Sequence, residues 1–214
     1  MTCPQILFTS LSGKKNLYGA VSNQAKQFHQ DALVIGTDSN PQCLAKTDVE
    51  AFIQSPPTLD WEEKDLLAFC HQNNITHVIP TRDAELEWWA FHSEKLKECG
   101  IHVMNSSHSA ISTCLDKYYF YQFWNLECPL HPISTTLKPE ILNAERFAVK
   151  ERNGSGAESI GLNLGLDEAK SWADKLKKPI FQPFIEGKEL SAETWIDAEG
   201  NCHGMLLRWR GNLV

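Results

Sequence analysis

Phe147, Ala148 and Val149 lead into Lys150, and a loop carrying Gly154, Ser155, Gly156 and Ala157 follows directly. A strand that runs into such a turn sets a cation beside a row of backbone N–H groups, which is the chemistry of cradling a phosphate. Downstream, residues 179–193 (PIFQPFIEGKELSAE) read as two strand pieces joined at Glu186, Gly187 and Lys188, where the glycine is free to take positive φ. Together the two stretches point to a nucleotide held between a lysine-bearing strand and a hairpin.

A nucleoside triphosphate needs cations and amides at its phosphates, an acceptor for the ribose hydroxyls, and a backbone edge with apolar walls for the base. Lys150 is the candidate for the α- and β-phosphates, and the amides around Gly154, Ser155 and Gly156 form a flap over the distal ones. Residues 182–185, from Gln182 to Ile185, supply the adenine edge, and Glu189 accepts from the ribose. Each piece has a plainer reading as well: a glycine turn after a strand is usually only a hairpin, and a lysine there is a solvated strand end. Their order along the chain favours the nucleotide.

The elements around these residues follow from pattern and composition. The 214 residues are 42% hydrophobic and 22% charged, enough apolar material for one large or two small domains. A net charge of -7 without a Lys/Arg cluster argues against gripping nucleic acid or an anionic membrane. Seven scattered cysteines without a CxxC pair imply neither a disulfide framework nor a zinc site, but reduced, mostly buried thiols. The start lacks a basic region ahead of a long apolar core, and no eighteen apolar residues run together, so a soluble cytoplasmic protein is expected. The eight histidines lack the spacing of a helical metal pair, residues 11–20 lack GxGxxG, and no Ser-His-Asp set is legible.

Up to Met104, short apolar runs alternate with helical stretches. Strands are expected over 5–10, 32–37, 51–53, 77–80 and 101–104, and helices over 18–30, 60–73 and 83–98, the last closed by Gly100. This alternation predicts a parallel sheet with helices on its faces. Residues 105–109 and Asp116 are placed to cap two further helices, the second crowded with aromatics. Residues 129–139 hold three prolines and read as an exposed connection, with a short strand over 133–136. Beyond it come the strand ending at Lys150, a helix over 167–177, and strands near 180–185, 189–197 and 203–210, the last two joined by a turn at 197–201.

The order Asp116-Lys117, then FAVK with NGSGAESIG, then FQPFIEGKELSAE resembles the ATP-grasp superfamily, nearest to its carbamoyl-phosphate-synthase-like members. The resemblance extends from the amino terminus to about Arg210. It implies an α/β protein: a Rossmann-like pre-ATP-grasp domain over 1–110, with a parallel sheet, followed by an α+β ATP-grasp domain over 111–214. It makes Lys117 and Lys150 the phosphate-binding lysines, puts Phe184 and Ile185 on the adenine segment, and makes Glu189 the ribose carboxylate. Gln182 stands where the family often has Glu, and its amide can still accept from the adenine amino group. Glu151 replaces a common proline and brings negative charge near the phosphates.

Arg208 and Arg210 resemble arginines that approach the γ-phosphate or the acyl substrate, and they read equally well as exposed positions on an edge strand. The resemblance implies ATP with Mg²⁺, a carboxylate and an amine as substrates, and an acyl-phosphate intermediate. Family members continue past a strand like 203–210 into the segment that holds the metal, so the domain is expected to be incomplete and no metal ligand is assigned within the chain. Three readings follow: a carboxylate–amine ligase, a fragment that binds nucleotide weakly or not at all, without turnover, or a Rossmann-type module for a small ligand in the amino-terminal domain, against which the missing GxGxxG counts. The incomplete domain leaves residues 203–210 as an exposed edge with Met205, Leu206 and Leu207 open, a surface for self-association.

Overall fold

The computed structural model describes residues 3–128, 132–154, 159–197 and 199–211. Its first part is a five-stranded, wholly parallel sheet ordered β3-β2-β1-β4-β5. The strands are β1 (Gln5–Phe8), β2 (Leu33–Asp38), β3 (Ala51–Gln54), β4 (His77–Ile79) and β5 (His102–Val103), connected by the helices α1 (Lys15–Phe28), α2 (Glu63–Gln72) and α3 (Asp83–Glu98). The strands are short apolar runs because both faces of the sheet are covered. Leu7, Leu66, Val78, Trp89 and Leu96 pack on one face, and Phe8, Leu11, Tyr18 and Val34 on the other.

The helix over 83–98 forms with the expected bounds and stops for a visible reason. Gly100, at φ 78°, lets its own N–H reach the Lys97 carbonyl and the Ile101 N–H reach Leu96, which satisfies two carbonyls at the helix end. α1 instead begins at Lys15, ahead of the start expected at residue 18. The helix expected from residue 60 is split into a 3-10 turn, Thr58–Asp60, and α2.

α4 (His108–Leu115) is capped by Ser107, whose hydroxyl accepts from the Ala110 amide at 3.3 Å. α5 (Lys117–Glu127) is capped by Asp116, which accepts from the amides of Tyr118 and Tyr119 at 3.1 and 2.9 Å. No residue of α5 is buried, and Tyr119, Phe123 and Trp124 are exposed. Trp124 is thus on the surface, whereas Trp89 is in the core.

The second part holds two antiparallel sheets. β6 (Phe147–Glu151) is the centre of a three-stranded sheet, flanked by β7 (Gly161–Leu164) and β8 (Pro179–Pro183), with α6 (Leu166–Ala173) across one face. β9 (Leu190–Ile196) and β10 (Cys202–Trp209) form a separate two-stranded sheet. Two expectations are corrected here. The strand pieces either side of residues 186–188 do not pair as a hairpin: β8 pairs with β6, and β9 with β10. The proline-rich connection is not wholly exposed, because Thr135 and Pro139 are buried and Thr136 bridges to Phe181. All seven cysteines are free, but only Cys43 and Cys70 are buried, fewer than the composition suggested.

Candidate functional site

Alternation along β6 separates its two faces. Phe147 and Val149 turn toward α6 and pack with Ala169 and Phe181. Lys150, opposite Ile180 in the β6–β8 register, turns the other way, as does Gln182 opposite Ala148. Glu151 therefore does not lie on the lysine's face. Its carboxylate accepts from the amides of Lys177 and Lys178 at 2.7 and 3.0 Å, so it closes the end of the chain segment after α6, while its charge still acts on Lys117.

Lys117 reaches the same region from another element. Its backbone N–H donates to the Arg152 carbonyl at 3.1 Å, docking the start of α5 against the end of β6. Its Nζ donates to the Gly154 carbonyl at 2.7 Å and the Arg152 carbonyl at 3.4 Å. Gly154 sits at φ 117°, a conformation that L side chains rarely adopt, so the glycine is a backbone requirement of this turn. Ser155 and Gly156, the rest of the expected flap, lie outside the described residues.

Burial lowers the Lys150 pKa, the neighbouring Lys117 charge lowers it further, and Glu189 partly offsets both. Burial likewise lowers that of Lys117, against the attraction of Asp116, Asp83 and Glu151. Two partly desolvated lysines thus sit within each other's field, and neither forms an ion pair among the described residues. Such a pair is under-compensated until an anion arrives.

The base and ribose candidates are placed less uniformly. Gln182 is 7% exposed and donates from Nε2 to Thr135 Oγ1 at 2.7 Å, which leaves its carbonyl oxygen as the acceptor still available. Phe184 hydrogen-bonds through its amide to the Arg146 carbonyl at 2.9 Å and is half-buried, whereas Ile185 is exposed. Glu189 lies close enough to Lys150 to act on its charge, and its carboxylate accepts from Arg210 Nη1 at 2.7 Å. Arg208 is paired with Glu193, at 2.6 Å from Nε. Both arginines therefore sit in cross-strand ion pairs of the exposed β9–β10 hairpin, and their guanidinium groups are engaged there.

The sequence reading passed over Arg152. It donates to both oxygens of Asp116, with 2.8 Å from Nε and 2.6 Å from Nη2, and lies over the Tyr118 ring at 5.3 Å. Burial pushes the Asp116 carboxyl upward, but the Arg152 hydrogen bonds and the two capping amides outweigh it and hold the group below the usual carboxylate range. The signal was present: an arginine two positions past the strand-end lysine and a capping aspartate immediately before the other lysine.

Residues 6–104 match the PylC-like N-terminal domain, and residues 114–203 match the ATP-grasp domain. The carboxyl-terminal part of the chain, residues 114–203, is an ATP-grasp domain. A search of curated proteins found no match. Among solved structures, the chain is similar to N5-carboxyaminoimidazole synthetase from Staphylococcus aureus, complexed with ADP, at TM-score 0.66 and 13% identity over 99% of this chain and 56% of that one. It is also similar to the biotin carboxylase domain of the 2-oxoglutarate carboxylase of Hydrogenobacter thermophilus, in complex with MgADP, ADP and bicarbonate, at TM-score 0.67 and 13% identity over 94% and 49%. Biotin carboxylase from Campylobacter jejuni gives TM-score 0.64 and 15% identity over 92% and 49%. The chain spans about half the length of these ATP-grasp relatives. No helix among the described residues is long and apolar enough to cross a membrane.

Proposed function

We propose that this ATP-grasp chain binds ATP through Lys117 and Lys150, and that its fold serves a carboxylate–amine ligase working through an acyl phosphate. The observation that carries the reading is the lysine pair: two partly buried, mutually repelling cations without a carboxylate partner among the described residues. A polyphosphate supplies the missing negative charge and accepts hydrogen bonds from both ammonium groups. The Gln182 carbonyl and the half-buried Phe184 offer an acceptor and an apolar wall to adenine, and Glu189 offers an acceptor to ribose. Seven free cysteines suit a reducing, cytoplasmic setting.

ATP in ligases of this kind comes with Mg²⁺, which neutralises charge on the transferred phosphoryl group. Among the described residues, no group of three or more His, Cys, Asp or Glu converges as a ligand set. These residues do not themselves fit a metal, and no step here runs through one. A second reading, nucleotide binding without phosphoryl transfer, is favoured by Arg208 and Arg210. Held by Glu193 and Glu189, they are not free to meet a γ-phosphate or an acyl group.

Calorimetric titration of ATP into the 214-residue chain and its Lys150→Ala variant tests the proposal. Loss of a charged hydrogen-bond donor is expected to weaken binding by ~1.5–3 kcal/mol. Equal affinity for both chains, or none for the wild type, overturns it. Release of ADP in the presence of candidate carboxylates and amines separates the ligase reading from binding alone.

A further inference from the structure

A cavity of about 320 Å³ opens at the carboxyl ends of β1, β2 and β4, where the strand order reverses across β1. This is the position at which open parallel sheets expose backbone and loops to a ligand. Its apolar wall comprises Leu7, Trp61, Phe69 and Trp89, with the Trp61 and Phe69 rings 5.3 Å apart. It belongs to the five-stranded sheet, whereas Lys150 belongs to the β7-β6-β8 sheet.

Two buried carboxylates line it, in unequal states. Glu85, 3% exposed, has both oxygens engaged: Thr9 Oγ1 at 2.8 Å and the Thr81 amide at 3.4 Å on one, Thr58 Oγ1 at 2.5 Å and Trp89 Nε1 at 3.5 Å on the other. Asp38, 7% exposed, accepts from the Ser12 and Asn40 amides, at 2.7 and 2.9 Å, with the Ser12 side chain adding to them. A carboxylate has about four acceptor sites, so Asp38 retains capacity for a donor. Neither acid forms an ion pair among the described residues. Lys14, which lies in the field of both, donates to the Ser10 carbonyl at 2.7 Å. Burial pushes the Asp38 carboxyl upward, but its hydrogen bonds and the Lys14 charge hold it below the usual carboxylate range, so it is ionised and able to receive a ligand ammonium.

The opposite charge is also provided. Arg82 lines the cavity, is exposed, and its guanidinium meets no hydrogen-bond or ion-pair partner among the described residues. One cation at the mouth, one receptive buried anion and an aromatic wall describe complementarity to a zwitterion. We infer that this cavity binds a free α-amino acid with an apolar or aromatic side chain. Its ammonium meets Asp38, its carboxylate meets Arg82, and its side chain lies on Trp61 and Phe69. The inference does not rest on the nucleotide proposal, although Asp83, next to Arg82, lies within the field of Lys117.

The experiment is calorimetric titration of the full chain with L-phenylalanine and L-leucine, beside L-phenylalaninamide, which lacks the carboxylate, and 3-phenylpropionate, which lacks the ammonium. Saturable binding of at least one amino acid is expected, with the amide and the propionate each weaker than phenylalanine by about tenfold or more. Arg82→Gln, at an exposed position, should weaken phenylalanine by a similar factor while leaving the amide unchanged, an outcome a merely structural role would not give. No saturable binding of either amino acid at millimolar concentration overturns the inference. So does an amide as tight as the amino acid, or an equal loss for both ligands in Arg82→Gln.

Discussion

At the scale of single residues, Lys117 and Lys150 make the ATP proposal testable by pH alone. In the unfolded chain a lysine titrates near 10.5, and in the folded chain burial lowers both. Between the lowered value and 10.5 the unfolded state binds more protons, so the pair's contribution to stability rises with pH across that window. Phosphates should reverse the shift by favouring the charged ammonium groups. ATP binding in mildly alkaline buffer should therefore take up protons and weaken as pH rises. Calorimetry in two buffers of different ionisation enthalpy measures the proton count, and release of protons, or none exchanged, would contradict phosphate contact at these lysines. Gln182 supports a second expectation: Gln182→Ala removes the donor to the buried Thr135 hydroxyl, which still donates to the Ile133 carbonyl at 3.0 Å, and should cost about 0.5–1.5 kcal/mol in chemical denaturation.

At the scale of elements, the Asp116 cap joins two parts of the site, because one carboxylate holds both the start of α5 and Arg152 just beyond β6. Asp116→Ala removes the cap and the ion pair and should lower stability by about 1–3 kcal/mol. Asp116→Asn retains a capping oxygen and should cost less. Thermal melting compares the two, and equal losses would mean that the ion pair dominates. This arrangement also shows what the chain made legible. The Asp116 cap and Lys150 could be read from local signals, since capping is a matter of one residue and its next three amides, whereas Lys117 came from the family resemblance. Their convergence could not, because it depends on how α5 docks to β6. β7 was missed because it is four residues long, with the pattern buried, exposed, exposed, intermediate and Asn163 at φ 54°, so it shows no period-two signal. The strands of the parallel sheet were read almost residue by residue, since doubly covered strands are unbroken apolar runs.

For the whole molecule, the thiols report where the protein is closed. Burial pushes the Cys70 thiol up to about 12, and Cys43 is also buried, whereas Cys114 and Cys202 are exposed. A thiol-reactive dye at neutral pH should label Cys114 and Cys202 first, and reach Cys43 and Cys70 only with denaturant. Early labelling of Cys70 would show that the face of the sheet packed by α2 and α3 opens in the native state. Overall charge and composition argued against nucleic-acid and membrane partners, but they could not reveal the cavity at the ends of the parallel strands. It is built from Asp38, Arg82 and Trp61, residues 44 and 21 positions apart that only the parallel winding brings together.

The β9–β10 hairpin has a consequence for how the chain breathes. Antiparallel neighbours share a face, which puts Leu190, Met205, Leu207 and Trp209 on one side and Arg208 and Glu193 on the other, and every described residue of β10 is exposed. A two-stranded ribbon without buried side chains has little to oppose local opening. Its amides should exchange with deuterium long before those of β1 or β6, at a rate set by opening of the ribbon alone. Since Glu189 and Arg210 sit at its base, anything that clamps that base should slow exchange along the whole ribbon. Under the proposed contact of Glu189 with ribose, exchange along the hairpin should fall as ATP is added, readable amide by amide without observing the ligand.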